Sequence, residues 1–425
     1  MDSGKRAIWG WAMYDWANSA FATTILAAVL PTFYKTVAAE GLPQYLSTAY
    51  WAYTNFIAVL LVALSSPVLG AIADYSQRKK RFLFSFFLLG VLGTACLYFV
   101  DRGDWVLASL FFIVGFIGFG GGEVFYNSFL PIIAKQDEMD RVSTLGYAMG
   151  YLGGGLLLAV NVLMIMKPEL FGIPSKLIAT RICFITVAVW WAVFSIPTFL
   201  WIKEPGVGGE KVSIGEYVAI GFRRFVHTFQ KIKQHKEAFK FLLAYWLYND
   251  GIGTIIKMAV AYGTEIGIRT QDLILAILIT QFVGIPFTML FGRLTKYIGT
   301  KRGIYITLFV YSGIVIWGFF LQHAWEFYAL AIIVGMVQGG AQALSRSFFG
   351  NIIPKENAAE FFGFYALSGK FASVLGPLVF GVVAQITRHG RYAVFVLLAF
   401  FIAGIYLLSR VDEEAGRREA KIPVE

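Results

Sequence analysis

Twelve apolar segments of membrane length, separated by short polar loops, dominate the 425-residue chain. They run approximately over residues 8–34, 49–73, 82–100, 105–133, 143–166, 177–202, 239–263, 271–293, 303–321, 325–350, 359–386 and 391–409. A hydrocarbon layer ~30 Å thick takes about 20 residues of helix, so each segment is long enough to cross it. Lipid offers the backbone no hydrogen-bonding partner, which confines these segments to helices. The alternating pattern of a membrane β-barrel is absent. The expected fold class is therefore an all-α membrane protein with twelve transmembrane helices. At 58% hydrophobic and 15% charged residues, the chain lacks the polar surface that a soluble protein of this size needs.

The net charge of +10 does not point to nucleic acid, because Lys and Arg sit in short clusters between apolar runs. They concentrate on alternate loops, whereas the intervening loops hold scattered ones such as Lys35, Arg102 and Lys167. The positive-inside rule then places both termini in the cytoplasm, in a multi-pass protein of the cell (inner) membrane. The apolar stretch from Ile8 through Tyr34 exceeds the apolar core of a cleavable signal and reads as the first span. Cys96 and Cys183 lie within apolar runs, and the four His form no metal-binding spacing. No metal and no cofactor is expected, and no phosphate-cradling loop or nucleophile–base spacing suggests an enzyme.

The longest connection, about 203–240, divides the chain. The expected organisation is an N-terminal six-helix bundle (1–202), a cytoplasmic linker (203–238), a C-terminal six-helix bundle (239–410) and a cytoplasmic tail (411–425). Within the linker, Ser213 and Glu216 form a capping box, and Phe222, Phe225, Phe229 and Ile232 recur at helical spacing. These features predict an amphipathic helix on the inner membrane surface. The tail after Arg410 reads as irregular polar chain.

The two halves echo each other. Tyr14 and Asn18 to Ile25 match Tyr245 and Asn249 to Ile256 at one offset, and Gly120 to Glu123 match Gly339 to Gln342 at another. Gly70 with Lys79-Lys80 matches Gly292 with Lys301-Arg302. A duplicated six-helix half implies a pseudo-twofold axis along the membrane normal, with substrate bound between halves that expose it to each side in turn.

The loop after the second span reads GAIADYSQRKKR (70–81) and resembles the G-x-x-x-D-R-x-G-R-K loop of the major facilitator superfamily. Gly70, Asp74, Arg78 and Lys79 fit; Tyr75 and Gln77 replace the pattern's Arg and Gly. A degenerate copy, GRLTKYIGTKR, stands at 292–302. Within that superfamily, YDWANSAFATTI (14–25), LGYAMGYLGGGLL (145–157), YNDGIGTII (248–256) and the 339–371 segment resemble the vacuole-effluxer branch, whose fungal members export amino acids from the vacuole. The resemblance implies the major facilitator fold, alternating access and amino-acid efflux. It also implies that Asp74, with Arg78 and Lys79, forms a cytoplasmic lock that Gly70 lets close tightly.

Six ionisable residues within the apolar segments stand out: Asp15, Glu123, Asp250, Lys257, Arg346 and Lys370. A charge at mid-membrane costs about 2.5–3.5 kcal/mol on insertion scales, so each must face a polar cavity or a partner. The repeat does not copy them: Asp15 falls opposite Trp246, and Glu123 opposite Gln342. Asp15, with Asn18 on the same helix face, either binds substrate or a proton or fixes a neighbouring helix. Glu123, after Gly120-Gly121-Gly122, is a candidate proton carrier. Asp250 and Lys257, two turns apart beside Asn249, either hold a zwitterion's two charges or serve two separate structural pairs. Lys370 is a substrate-site candidate. Arg346 either snorkels to the interface or gates. Gly146, Gly150 and Gly154, like Gly118 and Gly122, mark faces for close helix packing.

The leading functional expectation is secondary active transport of a small polar solute, an amino acid or short peptide, with possible proton coupling. The expected partners are that solute, protons and membrane lipids, with no nucleic acid and a monomeric chain. Export of amphipathic drugs or lipids is the alternative, although the fifth span lacks the Gly-Pro that the superfamily's drug antiporters carry there. A non-transporting membrane receptor or scaffold is the alternative of another class.

Overall fold

The computed structural model describes residues 3–204, 235–265, 268, 270–387 and 390–421, and every regular element among them is helical. The predicted linker helix, with Ser213, Glu216 and Phe222, lies outside the described residues. Twelve long helical segments follow the apolar pattern. They are α1 (Gly4–Ala38), α2 (Gln44–Ser76), α3 (Lys79–Cys96), α4 (Trp105–Ser128), α5 (Met139–Met166) and α6 (Lys176–Phe194). The second set is α7 (Lys236–Glu265), α8 (Thr270–Ile298), α9 (Thr300–Phe320), α10 (Ala324–Asn351), α11 (Ala358–Thr387) and α12 (Gly390–Ser409). Among the described residues ten segments are long and apolar enough to cross a membrane. The other two, α7 and α11, have 30 residues each, ample length for a crossing at 1.5 Å per residue.

The chain forms two compact units. One holds residues up to 66, 75–127 and 149–211; the other holds 67–74, 128–148 and everything from 212 onward. The second unit thus combines the C-terminal helices with the end of α2 and the start of α5.

Helices in lipid gain little from burying apolar surface, so their association rests on close packing. In the first unit, α3 and α4 cross at glycines: a Cβ on Gly93 would lie 2.5 Å from the Gly115 nitrogen, and one on Gly118 would overlap the backbone of Gly90. The face predicted for α5 packs on α1, where a Cβ on Gly150 would meet Ser19 Oγ at 2.6 Å and one on Gly154 would meet the Ser19 carbonyl oxygen at 2.9 Å. In the second unit α10 approaches α8 at Gly335, and α12 approaches α7 at Gly404. Large apolar side chains such as Leu64, Phe99, Leu200, Phe309 and Ile402 remain exposed, as a lipid-facing surface requires. Beyond Ala20, α1 widens into π-type turns at Phe21–Val29 and Tyr34–Ala38, on either side of Pro31, which has no N–H to continue the ladder.

The tail departs from expectation. Residues Glu413–Glu419 form a short helix, α13, because Asp412 caps it: its Oδ1 accepts from the backbone N–H groups of Glu414 and Ala415, each at 3.0 Å. Arg417 pairs with Glu413 at 2.6 Å one turn away. The helix is docked: Glu237 Oε2 accepts from the Asp412 N–H at 2.7 Å, Lys301 Nζ donates to the Val411 carbonyl at 2.6 Å, and Gly416 packs on Ile352.

The backbone hydrogen bonds from Ala415 and Glu414 hold the Asp412 carboxyl below the usual carboxylate range. A lowered folded-state pKa means that its contribution is present at neutral pH and is lost as pH falls through the folded value. The protection factors of the α13 amides, measured against the intrinsic exchange rate at each pH, are therefore expected to fall in Asp412→Ala at neutral pH, and in the native chain only once pH drops below the ordinary Asp range.

Candidate functional site

In the first unit the helix phase of α1 sets Trp11, Tyr14 and Asp15 toward α4. The Tyr126 hydroxyl donates to Asp15 Oδ2 at 2.7 Å, while Trp11 Nε1 donates to the Tyr126 carbonyl at 2.8 Å. Trp11 and Tyr14 both stack on the Tyr126 ring, with centroids 4.5 and 5.0 Å apart. Glu123 lies one turn before Tyr126 on α4, and both it and Asp15 act electrostatically on Tyr14. Gly122 lets that approach happen, since a Cβ there would sit 3.0 Å from the Tyr14 hydroxyl. Asp15 and Glu123 are both half-buried, and Asn18 is buried. Sequence periodicity found Asp15 and Glu123 but missed Tyr126, whose position three residues after Glu123 was the available signal.

In the second unit Gln342 Nε2 on α10 donates to Asn249 Oδ1 on α7 at 2.8 Å, and both are half-buried. Gly369 on α11 faces Tyr245 and Asn249, and the next residue, Lys370, is also half-buried. Tyr245 stacks on Tyr365 at 4.2 Å. These elements bring amide and phenol groups to one part of the bundle. The side chain of Lys257 on α7 lies outside the described residues.

Asp250 does not join this group. It is 1% exposed, and its Oδ1 accepts from the Gly376 N–H on α11 at 2.8 Å. A Cβ on Gly376 would meet that oxygen at 2.5 Å, so glycine is needed there. The buried Asp250 side chain links α7 to α11 through that bond.

A third set joins the start of α5 and the end of α2 to the C-terminal bundle. Asp74 Oδ2 accepts from the Glu360 N–H at 2.7 Å, in the first turn of α11. A carboxylate there complements the positive end of the helix dipole, an effect of about 0.3–1 kcal/mol in exposed settings and more when buried. Gly70, one turn earlier, permits the approach; any Cβ would overlap the Ala359 carbonyl oxygen. On α10, Arg346 is 2% exposed. Its Nε donates to Ser143 Oγ at 2.9 Å, an Nη donates to the Ser143 carbonyl at 2.8 Å, and the guanidinium lies over the Tyr147 ring at 4.2 Å. Snorkelling therefore does not account for Arg346. Asp140 on α5 accepts from the Ser347 hydroxyl and, at 2.7 Å, from the Thr300 hydroxyl. Asp140, Ser143 and Tyr147 were not singled out by sequence, because a polar loop-to-helix junction looks like any solvated one.

Arg78 and Lys79 belong to the other unit, where they open α3: the Arg78 carbonyl accepts from the Arg81 and Phe82 N–H groups. Gln77 takes a left-handed φ of 50°, at the place where the superfamily pattern has Gly. Lys80 closes this corner, its N–H donating to Glu204 at 2.7 Å and its Nζ to the Ile202 carbonyl at 2.7 Å.

Comparison with known proteins decides the family. The family described as "Vacuole effluxer Atg22 like" matches residues 3–421. The chain belongs to it. The MFS-type transporter YxiO of Bacillus subtilis is 39% identical over 413 residues, covering 95% of this chain and 94% of the relative. Autophagy-related protein 22 of Yarrowia lipolytica is 26% identical, covering 89% and 78%. Among solved structures, the major facilitator transporter FucP in its outward conformation aligns with a TM-score of 0.69 at 14% identity, covering 96% of this chain and 98% of its own. The human organic anion transporter MFSD10 aligns at the same score and 10% identity, covering 95% and 98%. This vacuole-effluxer family member is thus a multi-pass membrane transporter with the major facilitator fold, and its relatives are transporters, not enzymes.

Two substitutions check the contacts of α2 with α11. Gly70→Ala is expected to cost about 1–3 kcal/mol in thermal unfolding, because backbone must move to admit the methyl group. Asp74→Asn keeps an acceptor but loses the charge facing the helix end. It is expected to lower turnover severalfold with KM unchanged, and full turnover would remove any gating role for Asp74.

Proposed function

We propose that this transporter moves a small polar solute, an amino acid or a short peptide, by alternating access coupled to protons. The observation that carries the reading is the chemistry of the half-buried polar residues. One bundle presents amides and an ammonium at Asn249, Gln342 and Lys370; the other presents carboxylates and a phenol at Asp15, Glu123 and Tyr126. Carboxylates suit a solute ammonium, and amides with an ammonium suit a solute carboxylate. Leaving them within membrane-spanning helices is costly unless solute or water reaches them. The vacuole-effluxer description of the family supports the same solute class.

In this reading Asp15 or Glu123 carries the proton. The Tyr126 hydroxyl stabilises the ionised Asp15, and a solute ammonium or a proton competes for the same carboxylate. Asp74, Gly70 and Arg346 act as the gate on the basic-loop face, which we assign to the cytoplasm with both termini. The chain works as a monomer in contact with membrane lipids. A second reading, export of amphipathic molecules, draws on an apolar cavity in the second unit lined by residues such as Tyr262, Leu273, Phe327 and Phe380.

Proteoliposome flux of amino acids and dipeptides under an imposed pH gradient tests both. Asn249→Ala is expected to raise KM about tenfold, the worth of roughly one hydrogen bond to a charged group. Glu123→Gln is expected to lose most of the proton dependence; if Glu123→Gln and Asp15→Asn both keep all of it, proton coupling through these residues fails. Absence of amino-acid flux, with flux of hydrophobic cations instead, would establish the second reading.

A further inference from the structure

A polar cavity of about 430 Å³ lies beside the gate contacts, and the transport reading makes no use of it. Six charged residues line it: Asp137, Asp140 and Arg141 around the start of α5, Lys296 on α8, and Glu413 and Arg417 on α13. Three are acidic and three basic, so the wall favours neither a lone anion nor a lone cation. Some of these groups are already engaged, Asp140 by Ser347 and Thr300, and Glu413 by an Arg417 Nη.

Two polar atoms stand unmatched. Asn351, at the end of α10, is only 6% exposed, and its Oδ1 accepts no hydrogen bond. Arg417 is 39% exposed along its side chain, but its Nε atom is covered and donates to nothing, although its Nη is paired. Both residues line the cavity. Buried polar atoms are nearly always satisfied, so an acceptor and a donor left over in one cavity call for a ligand carrying the complementary pair. An ammonium answers Asn351 Oδ1 and a carboxylate answers Arg417 Nε.

We propose that this cavity is a regulatory site for a free α-amino acid, whose occupancy holds the gate closed. The walls explain the coupling. Residues 136–141 come from the first half of the chain, whereas Lys296, Asn351 and α13 come from the second. The cavity exists only while Asp140 and Ser143 remain bonded to α9 and α10. A ligand that needs all its walls stabilises that arrangement by mass action. The docked α13 gives the tail its purpose, because it supplies Arg417. The ligand class follows from the lining and does not depend on which solute is transported.

The test reads gate opening, not flux. Thr144 is buried against Gly292 beside the gate, so a water-soluble maleimide labels Thr144→Cys only when α5 lifts away. The full-length protein would carry this substitution with Cys96→Ala and Cys183→Ala. Saturating L-glutamine, at about ten times its half-saturating concentration, is expected to slow labelling about tenfold. Asn351→Leu and Arg417→Gln are each expected to abolish the slowing, whereas Asn249→Ala keeps it. Slowing that survives in both cavity variants, or that disappears in Asn249→Ala, would place the effect elsewhere and overturn the proposal. No slowing by glutamine, glutamate or lysine would mean that the cavity holds water alone. None of these outcomes bears on whether amino acids are transported, which flux decides separately.

Discussion

A polar group inside a bilayer must find its partner within the protein, because lipid supplies none. That constraint shapes every level of this transporter. It makes the spans helical, and it leaves helix association to close approach instead of apolar burial. Glycines consequently occupy the crossing points, at Gly93 and Gly118 between α3 and α4 and at Gly150 and Gly154 where α5 meets α1. Elsewhere the same demand appears as side chains reaching across helices to backbone: Asp250 to Gly376, Asp74 to Glu360 and Arg346 to Ser143.

These three buried ionisable side chains share a logic that differs from that of Asp15, Glu123 and Lys370. Each of the first group lies at 8% exposure or below and is tied to the backbone of a neighbouring helix. Each of the second remains half-buried. A carboxylate locked onto a helix N–H is a poor partner for a passing solute, since leaving would strand a buried donor. One still open to water can exchange partners at low cost. The division is one of burial: the first three side chains are sealed against neighbouring backbone, and the second three are not.

The contacts of Asp74, Asp140 and Arg346 cluster in a small part of the second unit. Asp74 meets the first turn of α11 one turn beyond the Gly70 contact, and Asp140 spans from α5 to both α9 and α10 through hydroxyl donors. Serine and threonine partners suit a contact that must break and re-form. A hydroxyl released from a carboxylate can turn to its own helix carbonyl, as Ser347 already does with Leu344. Arg346 makes a heavier contribution, combining two hydrogen bonds with a ring face.

The sequence by itself determined the spans, the helical state, the duplicated plan and the Gly70–Asp74 loop, because each is local: an apolar run, a period, or residues four apart on one face. It also singled out Asp15, Glu123, Asp250, Lys257, Arg346 and Lys370, since a charge in an apolar run stands out. It did not reveal which neighbour each would meet. Tyr126 reaches Asp15 across 111 positions and Ser143 reaches Arg346 across 203. Helix phase says which residues share a face, but lipid, cavity and neighbouring helix can all lie opposite an apolar or small-residue face. The tail misled for a related reason: α13 has few apolar residues, and its docking through Glu237, Lys301 and Ile352 exists only once α7, α9 and α10 have assembled beneath it. Only tertiary structure decided which ionisable side chain is sealed against a neighbouring helix and which stays half-buried, because that choice rests on distance across helices and not on position along the chain.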